Sequence, residues 1–189
     1  VSSLKDLMNL EDFDIAVNKV PDISIVKNFT KLNLLDIYSN KISDISNVKD
    51  LDKITYLRAD NNNIEDISAL KDLKLLENLD LGNNKIKDIS VIDGLTKLSL
   101  KGNNLDNFNL THLTKLDDLN LENNKISDVS FLEKVNKLTS LNLNKNNVEN
   151  IEAISNLKDL TYLYLDKNNV ENIDALKSLS KLSNVILSN

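Results

Sequence analysis

Tyrosine is the residue type in this sequence best suited to molecular recognition, and the chain contains four tyrosines. Tyr162 and Tyr164 stand one residue apart in the stretch LTYLYLDKNNV, between leucines of core type. A tyrosine ring offers apolar contact area and a hydroxyl group, and tyrosines are enriched at protein interfaces and their hot spots. Aromatic residues also favour strands for reasons unrelated to binding. Which role applies depends on the direction in which the local structure points these side chains.

The sequence offers little for catalysis. Its single histidine, His112, falls beside Leu113 and away from the acidic residues, so no Ser-His-Asp set can be assembled around it. Asp14 and Asp36 could in principle serve a glycosidase, but acidic residues on an exposed strand are usually only solvated. The stretch DNNNIED at 60–66 lacks the glycine and glutamate spacing of a calcium loop. We therefore predict a non-enzymatic protein with no cofactor and no metal site.

The composition narrows the class of partner. The chain has 189 residues, 29 of them acidic and 23 basic, and its net charge of −6 disfavours binding to nucleic acid or to an anionic membrane. It has no cysteine, which is compatible with either redox compartment. No apolar run approaches the roughly 20 residues that span a bilayer. The first residue is valine and no signal peptide follows it, so we expect a piece of a longer protein.

One pattern recurs along the whole chain: two apolar residues separated by one position, then an asparagine, then another apolar residue, as in LDLGNNKI. The interval between successive asparagines is 22 residues, except for one interval of 19 and one of 21. Self-similarity at this period is typical of a solenoid built from stacked coils. The recurring asparagines are Asn18, Asn40, Asn62, Asn84, Asn103, Asn124, Asn146 and Asn168.

Each repeat combines two apolar periods. The pair Leu79 and Leu81 has the period of two that marks a strand with one buried face. After the asparagine, apolar residues from Ile64 to Leu76 recur every three positions, which matches a 3₁₀ helix better than an α-helix. We therefore predict short parallel strands joined by 3₁₀ or extended return segments. The asparagine amides are expected to form a ladder of hydrogen bonds to backbone groups of neighbouring coils.

Two further features belong to the return segments. The 19-residue repeat between Asn84 and Asn103 lacks one three-residue step, and all three glycines, Gly82, Gly94 and Gly102, lie in or beside it, where positive φ is useful. Five repeats carry an aspartate and a serine two residues later, and we expect these short oxygen-bearing side chains to cap the 3₁₀ turns. The aspartates are Asp22, Asp44, Asp66, Asp88 and Asp128.

The pattern LxxLxLxxNxI followed by DIS at 22-residue spacing resembles the leucine-rich repeats of bacterial internalins. The segments ISDIS, IEDIS, IKDIS and ISDVS are similar to the internalin consensus, and the resemblance covers essentially the whole chain. It implies an α/β leucine-rich-repeat solenoid with a curved parallel β-sheet on the concave face and 3₁₀ or extended segments on the convex face. Residues 1–189 would form a single domain of about eight repeats, with partial units at both ends.

The resemblance also implies a function: a bacterial protein, secreted or on the cell surface, that binds a protein ligand through its concave face without catalysing a reaction. Two other interpretations remain. An intracellular scaffold of the phosphatase-regulator type would share the 22-residue length, and a carbohydrate-binding repeat could stack its tyrosines on sugar rings. The expected partner is a protein rather than nucleic acid, with no insertion into a membrane, and the chain is expected to be a monomer.

Three positions in each repeat point away from the core, because side chains alternate across a strand. They are the positions before, between and after the apolar pair, and we call them the front. All four tyrosines and the only arginine occupy front positions. The residues predicted to contact the partner are Tyr38, Tyr56, Arg58, Lys97, Lys101, Tyr162, Tyr164 and Asp166.

Ion pairing on the front is also predicted from the spacing of parallel strands, about 4.8 Å. Arg58 would lie between Asp36 and Asp80. By the same reasoning, Lys97 would pair with Asp118 and Lys101 with Glu122. Exposed pairs of this kind contribute about 0–1 kcal/mol each, so they do not prevent the same side chains from contacting a partner.

Overall fold

The computed structural model describes residue 4 and residues 6–106 and 108–188. Within these residues the chain forms nine strands of three residues each, one at every predicted position. The chain divides into two compact units, Val1–Leu95 and Thr96–Asn189. The strands are β1 (Asp12–Asp14), β2 (Leu34–Asp36), β3 (Tyr56–Arg58), β4 (Asn78–Asp80), β5 (Lys97–Ser99), β6 (Asp118–Asn120), β7 (Ser140–Asn142), β8 (Tyr162–Tyr164) and β9 (Asn184–Ile186).

The first unit contains β1 to β4, which are parallel and adjacent in chain order. Since three successive repeats have the same length, equivalent residues pair: Leu35 lies opposite Leu57, which lies opposite Leu79. The ladder extends past the strands, for example through the bond of 2.9 Å from the Ile15 N–H to the Asp36 carbonyl. The 3₁₀ turns of this unit are Ser24–Asn28, Ser46–Val48 and Ser68–Leu70.

The second unit contains β5 to β9, again parallel and in chain order. Its register pairs Leu98 with Leu119 and Leu141 with Leu163. The 21-residue repeat is therefore shortened outside its strand, and the register of the strands is kept. The 3₁₀ turns of this unit are Ser130–Lys134, Glu152–Asn156 and Asp174–Ser178. Within each unit the structure confirms the predicted leucine-rich-repeat architecture. That the chain is a single domain stays a prediction.

The apolar residues that recur every three positions form the core. Ile64, Ile67, Leu70, Leu73 and Leu76 are each at most 3% exposed. A 3₁₀ turn places residues i and i+3 on the same side, so this period turns one continuous row of side chains inward. Burial of such a row is the main favourable contribution to folding, at about 25 cal/mol per Å² of apolar surface.

The asparagine ladder is confirmed, except at Asn18, whose exposed amide bonds only carbonyls of its own turn. In the first unit, the Asn62 Oδ1 accepts the Ile42 N–H at 3.0 Å, and its Nδ2 donates to the carbonyls of Ile37 and Ala59 at 2.9 and 3.1 Å. One nearly buried amide thus joins two coils through their backbone groups. Asn84, Asn124, Asn146 and Asn168 repeat the same arrangement.

The residue before each ladder asparagine has a left-handed backbone, and this feature was predicted only at Gly102. Of the three glycines for which positive φ was expected, Gly82 does not adopt it. Gly102 has φ of +66° and Gly94, in the short repeat, has φ of +76°. Asparagine tolerates this conformation better than other residues with a Cβ, and a β-branched residue tolerates it worst. The non-glycine residues that adopt it before a ladder asparagine are Val17, Ser39, Asn61, Asn83, Asn123, Lys145 and Lys167.

Val17 is the β-branched member of this set, with φ of +57° and a side chain that is 69% exposed. Because exposure leaves it no packing to offset the strain, we expect Val17→Asn to stabilise the chain by about 0.5–1 kcal/mol. The urea midpoint of unfolding measures the effect. Val17→Ala should gain less, since alanine also disfavours positive φ. A Val17→Asn midpoint no higher than that of the unmodified chain would contradict this account.

The predicted caps of the 3₁₀ turns are also present. The Asp44 Oδ1 accepts the Ser46 N–H at 2.7 Å, and the same bond recurs from Asp22, Asp66, Asp88 and Asp128 to the serine two residues later. In the second unit, Asn109, Asn150 and Asn172 do the same with an amide oxygen. The turn therefore requires a side-chain oxygen at this position but not a charge.

These caps make the stability of the chain sensitive to acid. The backbone N–H of the following serine, with its hydroxyl, lowers the pKa of Asp44, Asp66 and Asp88. A carboxylate with a lowered pKa contributes stability above its unfolded pKa of about 3.9, and this is lost as pH falls through the folded value. We expect the triple change to asparagine to reduce the fall in urea midpoint between pH 6 and pH 3. An unchanged fall would show that these caps do not couple to pH.

Candidate functional site

The front of the first unit is organised around Arg58 on β3. Leu57 is fully buried, so its neighbours Tyr56 and Arg58 point to the opposite side, and Tyr56 is 36% exposed. The Arg58 Nε lies 3.0 Å from the Asp60 Oδ1, and an Nη lies 3.5 Å from the Asp36 Oδ2. Its guanidinium carbon lies 4.0 Å from the centre of the Tyr38 ring, within the range of a cation–π contact.

The predicted pairing of Arg58 with both Asp36 and Asp80 is wrong in part. Asp36 is a partner, but the shorter contact is to Asp60, and no ion pair to Asp80 forms among the described residues. Asp60 lies two residues after Arg58, so both side chains emerge on the same side of the chain. Asp60 is only 9% exposed, and its Oδ2 also accepts a bond of 2.7 Å from the Asn61 amide. Its position on the front was known from the sequence, whereas its burial was not.

Burial and neighbouring charges shift the pKa values of Arg58, Asp60 and Tyr56. Burial and the neighbouring Asp80 raise the pKa of Asp60, while Arg58 acts in the opposite direction. Burial lowers the pKa of Arg58, but the carboxylates of Asp60 and Asp36 outweigh it and raise the pKa overall. Burial is also the main reason for the raised pKa of Tyr56. Arg58 is therefore a charged group already held by its own chain.

The last residue of most strands accepts a backbone hydrogen bond that stabilises the turn after the strand. The carboxylates of Asp14, Asp36 and Asp80 accept the backbone N–H two residues later, at 2.8 to 2.9 Å, which closes the turn after the strand. In the second unit, Asn120 and Asn142 make the same bond at 3.0 Å.

Arg58, Tyr164 and Ile186 occupy this position without a side chain that can accept the bond. The backbone N–H two residues after Tyr164, that of Asp166, donates instead to the Asn144 Oδ1 at 2.7 Å. The fold therefore does not explain an arginine or a tyrosine at these positions. Places where a sequence departs from its own structural rule are the expected places for functional residues.

The front of the second unit carries the tyrosine pair on β8. Leu163 is fully buried, whereas Tyr162 is 46% exposed and Tyr164 is half-buried. Tyr162 lies opposite Ser140 on one side and Asn184 on the other, and both are small enough to leave its ring accessible. The structure thus brings Tyr162, Tyr164 and the following Asp166 onto one patch.

The lysines of this front differ from each other. Lys101 pairs with Glu122 at 3.0 Å, as predicted, and Lys145 reaches the same carboxylate at 2.7 Å. Burial raises the pKa of Glu122, but the hydrogen bonds from Lys145 and Lys101 outweigh it and lower the pKa overall. Lys97 lies opposite Asp118 in the register, yet the two form no ion pair within the described part of the chain, so that expected pair is wrong. Whether any of these residues binds a partner stays a prediction.

The single histidine lies outside the front positions. His112 is half-buried, and its Nε2 is buried without a hydrogen-bond partner among the described residues. In the same residues, no three histidine or acidic side chains come close enough to hold a metal ion. Across residues 4, 6–106 and 108–188, no helix has the length and apolar character needed to cross a membrane.

Comparison with known proteins agrees with this geometry. The family model for leucine-rich repeats (two copies) matches residues 52–94. The structure of internalin C2 from Listeria monocytogenes superposes with a TM-score of 0.90 at 28% identity, over 94% of this chain and 80% of that one. Internalin F from the same organism gives a TM-score of 0.84 at 33% identity, over the whole of this chain and 64% of that one.

More distant matches show the fold alone. The leucine-rich-repeat ectodomain of a membrane receptor kinase from Arabidopsis thaliana has a TM-score of 0.72 at 20% identity. This chain is matched completely but spans only 28% of that ectodomain. The search of curated proteins found no significant match.

Proposed function

Because the chain is an internalin-like leucine-rich-repeat protein, we propose that it binds a protein ligand through its front and catalyses no reaction. The residues proposed to contact the ligand are those predicted from the sequence: Tyr38, Tyr56, Arg58, Lys97, Lys101, Tyr162, Tyr164 and Asp166. Leucine-rich repeats are typically binding modules.

The observation that carries this proposal is the pair formed by the exposed Tyr162 and the half-buried Tyr164, on either side of the buried Leu163. Neither ring belongs to the buried core, and Tyr164 stands where most repeats have an aspartate or asparagine. Large aromatic side chains exposed next to each other are typical anchors of protein interfaces. The Arabidopsis ectodomain offers an analogy at the level of fold, since its structure was determined in complex with Casparian strip integrity factor 2.

The proposed location is the bacterial surface or the extracellular space, which the two internalin relatives support. An intracellular scaffold would use the same front, so the fold does not separate these two locations. Protease treatment of intact cells does separate them, because only a surface protein is digested. Recovery of the intact chain from the cytosol after such treatment would contradict the proposed location.

The binding function is tested by capture. The purified chain is immobilised and exposed to candidate extracellular protein mixtures, and the retained proteins are identified by mass spectrometry. We expect at least one retained protein to be lost when Tyr162 and Tyr164 are both changed to alanine. A glycan array provides the complementary test, since specific retention of a sugar would favour the carbohydrate-binding alternative.

A further inference from the structure

Charge is distributed unevenly in the first unit. Residues 1–95 contain 17 acidic and 12 basic residues. The twelve front positions of β1 to β4 hold five of the acidic residues, Asp12, Asp14, Asp36, Asp60 and Asp80, and a single basic residue, Arg58. The rest of the unit is therefore nearly balanced, with 12 acidic and 11 basic residues. Almost all of the net negative charge of this unit lies on one side of its sheet.

The chain does not neutralise this face itself. Arg58 is engaged by Asp60, Asp36 and the Tyr38 ring. Asp14 and Asp80 have no lysine or arginine within 4 Å in the part of the chain that the structure describes. Each of them bonds a backbone N–H through Oδ1, at 2.8 and 2.9 Å, which holds the carboxylate at the surface.

The fold does not require this charge. At the equivalent strand positions of the second unit, Asn120 and Asn142 make the same turn bond with a neutral amide. The fifteen front positions of the second unit carry three acidic and two basic residues, so that front is nearly neutral. The same architecture is thus built with and without the aspartates, within one chain.

We propose that the front of the first unit docks a basic polypeptide segment, with lysine or arginine side chains against Asp14 and Asp80 and an aliphatic stem against the ring of Tyr56. This inference rests on the proposed protein-binding function and names the chemistry of its partner. Charge complementarity selects the occupant, because a face with a net charge of −4 repels an acidic segment, and a neutral segment would desolvate the carboxylates without pairing them. The exposed ring of Tyr56 favours a polypeptide over a small cation, since lysine stems bury apolar surface that a simple ion lacks.

A ten-residue lysine peptide tests the inference with the full chain, by calorimetric titration at 150 mM salt. The double variant Asp14→Asn and Asp80→Asn keeps both turn bonds and removes two charges. We expect it to bind the peptide at least about fivefold more weakly, since each exposed pair contributes up to about 1 kcal/mol. The matched control, Asp50→Asn with Asp72→Asn, removes two exposed charges from the same unit but off the front. It should bind within about twofold of the unmodified chain.

Each outcome decides the question. Equal weakening of both double variants would mean that the peptide senses only net charge, which overturns the inference. Spermine binding as tightly per charge as the peptide would overturn the polypeptide assignment. A captured protein whose affinity is unchanged by Asp14→Asn with Asp80→Asn would also overturn it, while leaving the proposed function intact. A different result contradicts the proposed function itself: binding of the captured protein that persists when Tyr162 and Tyr164 are both changed to alanine.

Discussion

Asn124→Ala is expected to destabilise the chain by about 3 kcal/mol, the largest effect of any single substitution considered for this protein. The Asn124 side chain is 8% exposed and makes five hydrogen bonds. Its Oδ1 accepts the N–H groups of Asn103 and Leu105, and its Nδ2 donates to three carbonyls. Alanine removes the acceptor of two buried N–H groups, at a cost of about 1–3 kcal/mol for each donor, whereas the carbonyls of Leu100 and Leu121 keep bonds from Asn103 and Asn146.

Asn18→Ala is the matched control for the ladder. Asn18 has the same place in its repeat, but it is exposed, and its amide bonds only carbonyls of its own turn, those of Ile15 and Ala16. Water can replace those bonds, so we expect a loss below about 1 kcal/mol. Urea unfolding compares the two variants. Equal losses, or a loss near zero for Asn124→Ala, would mean that the ladder does not stabilise the solenoid.

Changing Tyr162 and Tyr164 together to alanine is expected to weaken binding of the captured protein by about 2 kcal/mol or more, which is roughly thirtyfold. The two rings offer contact area on the front, and truncation removes it without opening the core. Unfolding should change much less than binding, because both side chains lie outside the core beside the buried Leu163. Surface plasmon resonance measures the affinity, and urea unfolding checks the fold.

Two further variants make this result specific. Changing both tyrosines to phenylalanine keeps the rings, so we expect it to retain most of the affinity if apolar contact dominates. Leu75→Ala removes an apolar side chain that is 51% exposed and lies off the front, and it should bind normally. His112 is unsuitable as such a control, because its partly buried ring gives its removal a cost in stability. Normal binding by the double alanine variant, with weakened binding by Leu75→Ala, would move the binding surface to the return side.

Much of the local structure follows from the sequence because the repeat applies the same constraint many times. Leu57 and Leu79 stand at one position of the repeat, so equal spacing places them opposite each other in the register. The three-residue period from Ile64 to Leu76 admits a 3₁₀ or extended return path and little else. The ladder role of Asn62 follows in the same way, since a polar residue at a fixed core position needs partners on its neighbours.

The tertiary structure decided which of several equivalent partners each front side chain contacts. Spacing offered Arg58 two flanking carboxylates, but its shortest contact is to the nearly buried Asp60, two residues later in the same chain segment. Lys97 and Lys101 had equally good partners in the register, yet only Lys101 reaches its glutamate, which Lys145 also contacts. Strand spacing determines which residues are neighbours, whereas burial and side-chain conformation determine which neighbours touch, and these two depend on all the surrounding coils together. For that reason the sequence by itself determined the fold and the membership of the front, and only the folded chain determined its pattern of charge pairing.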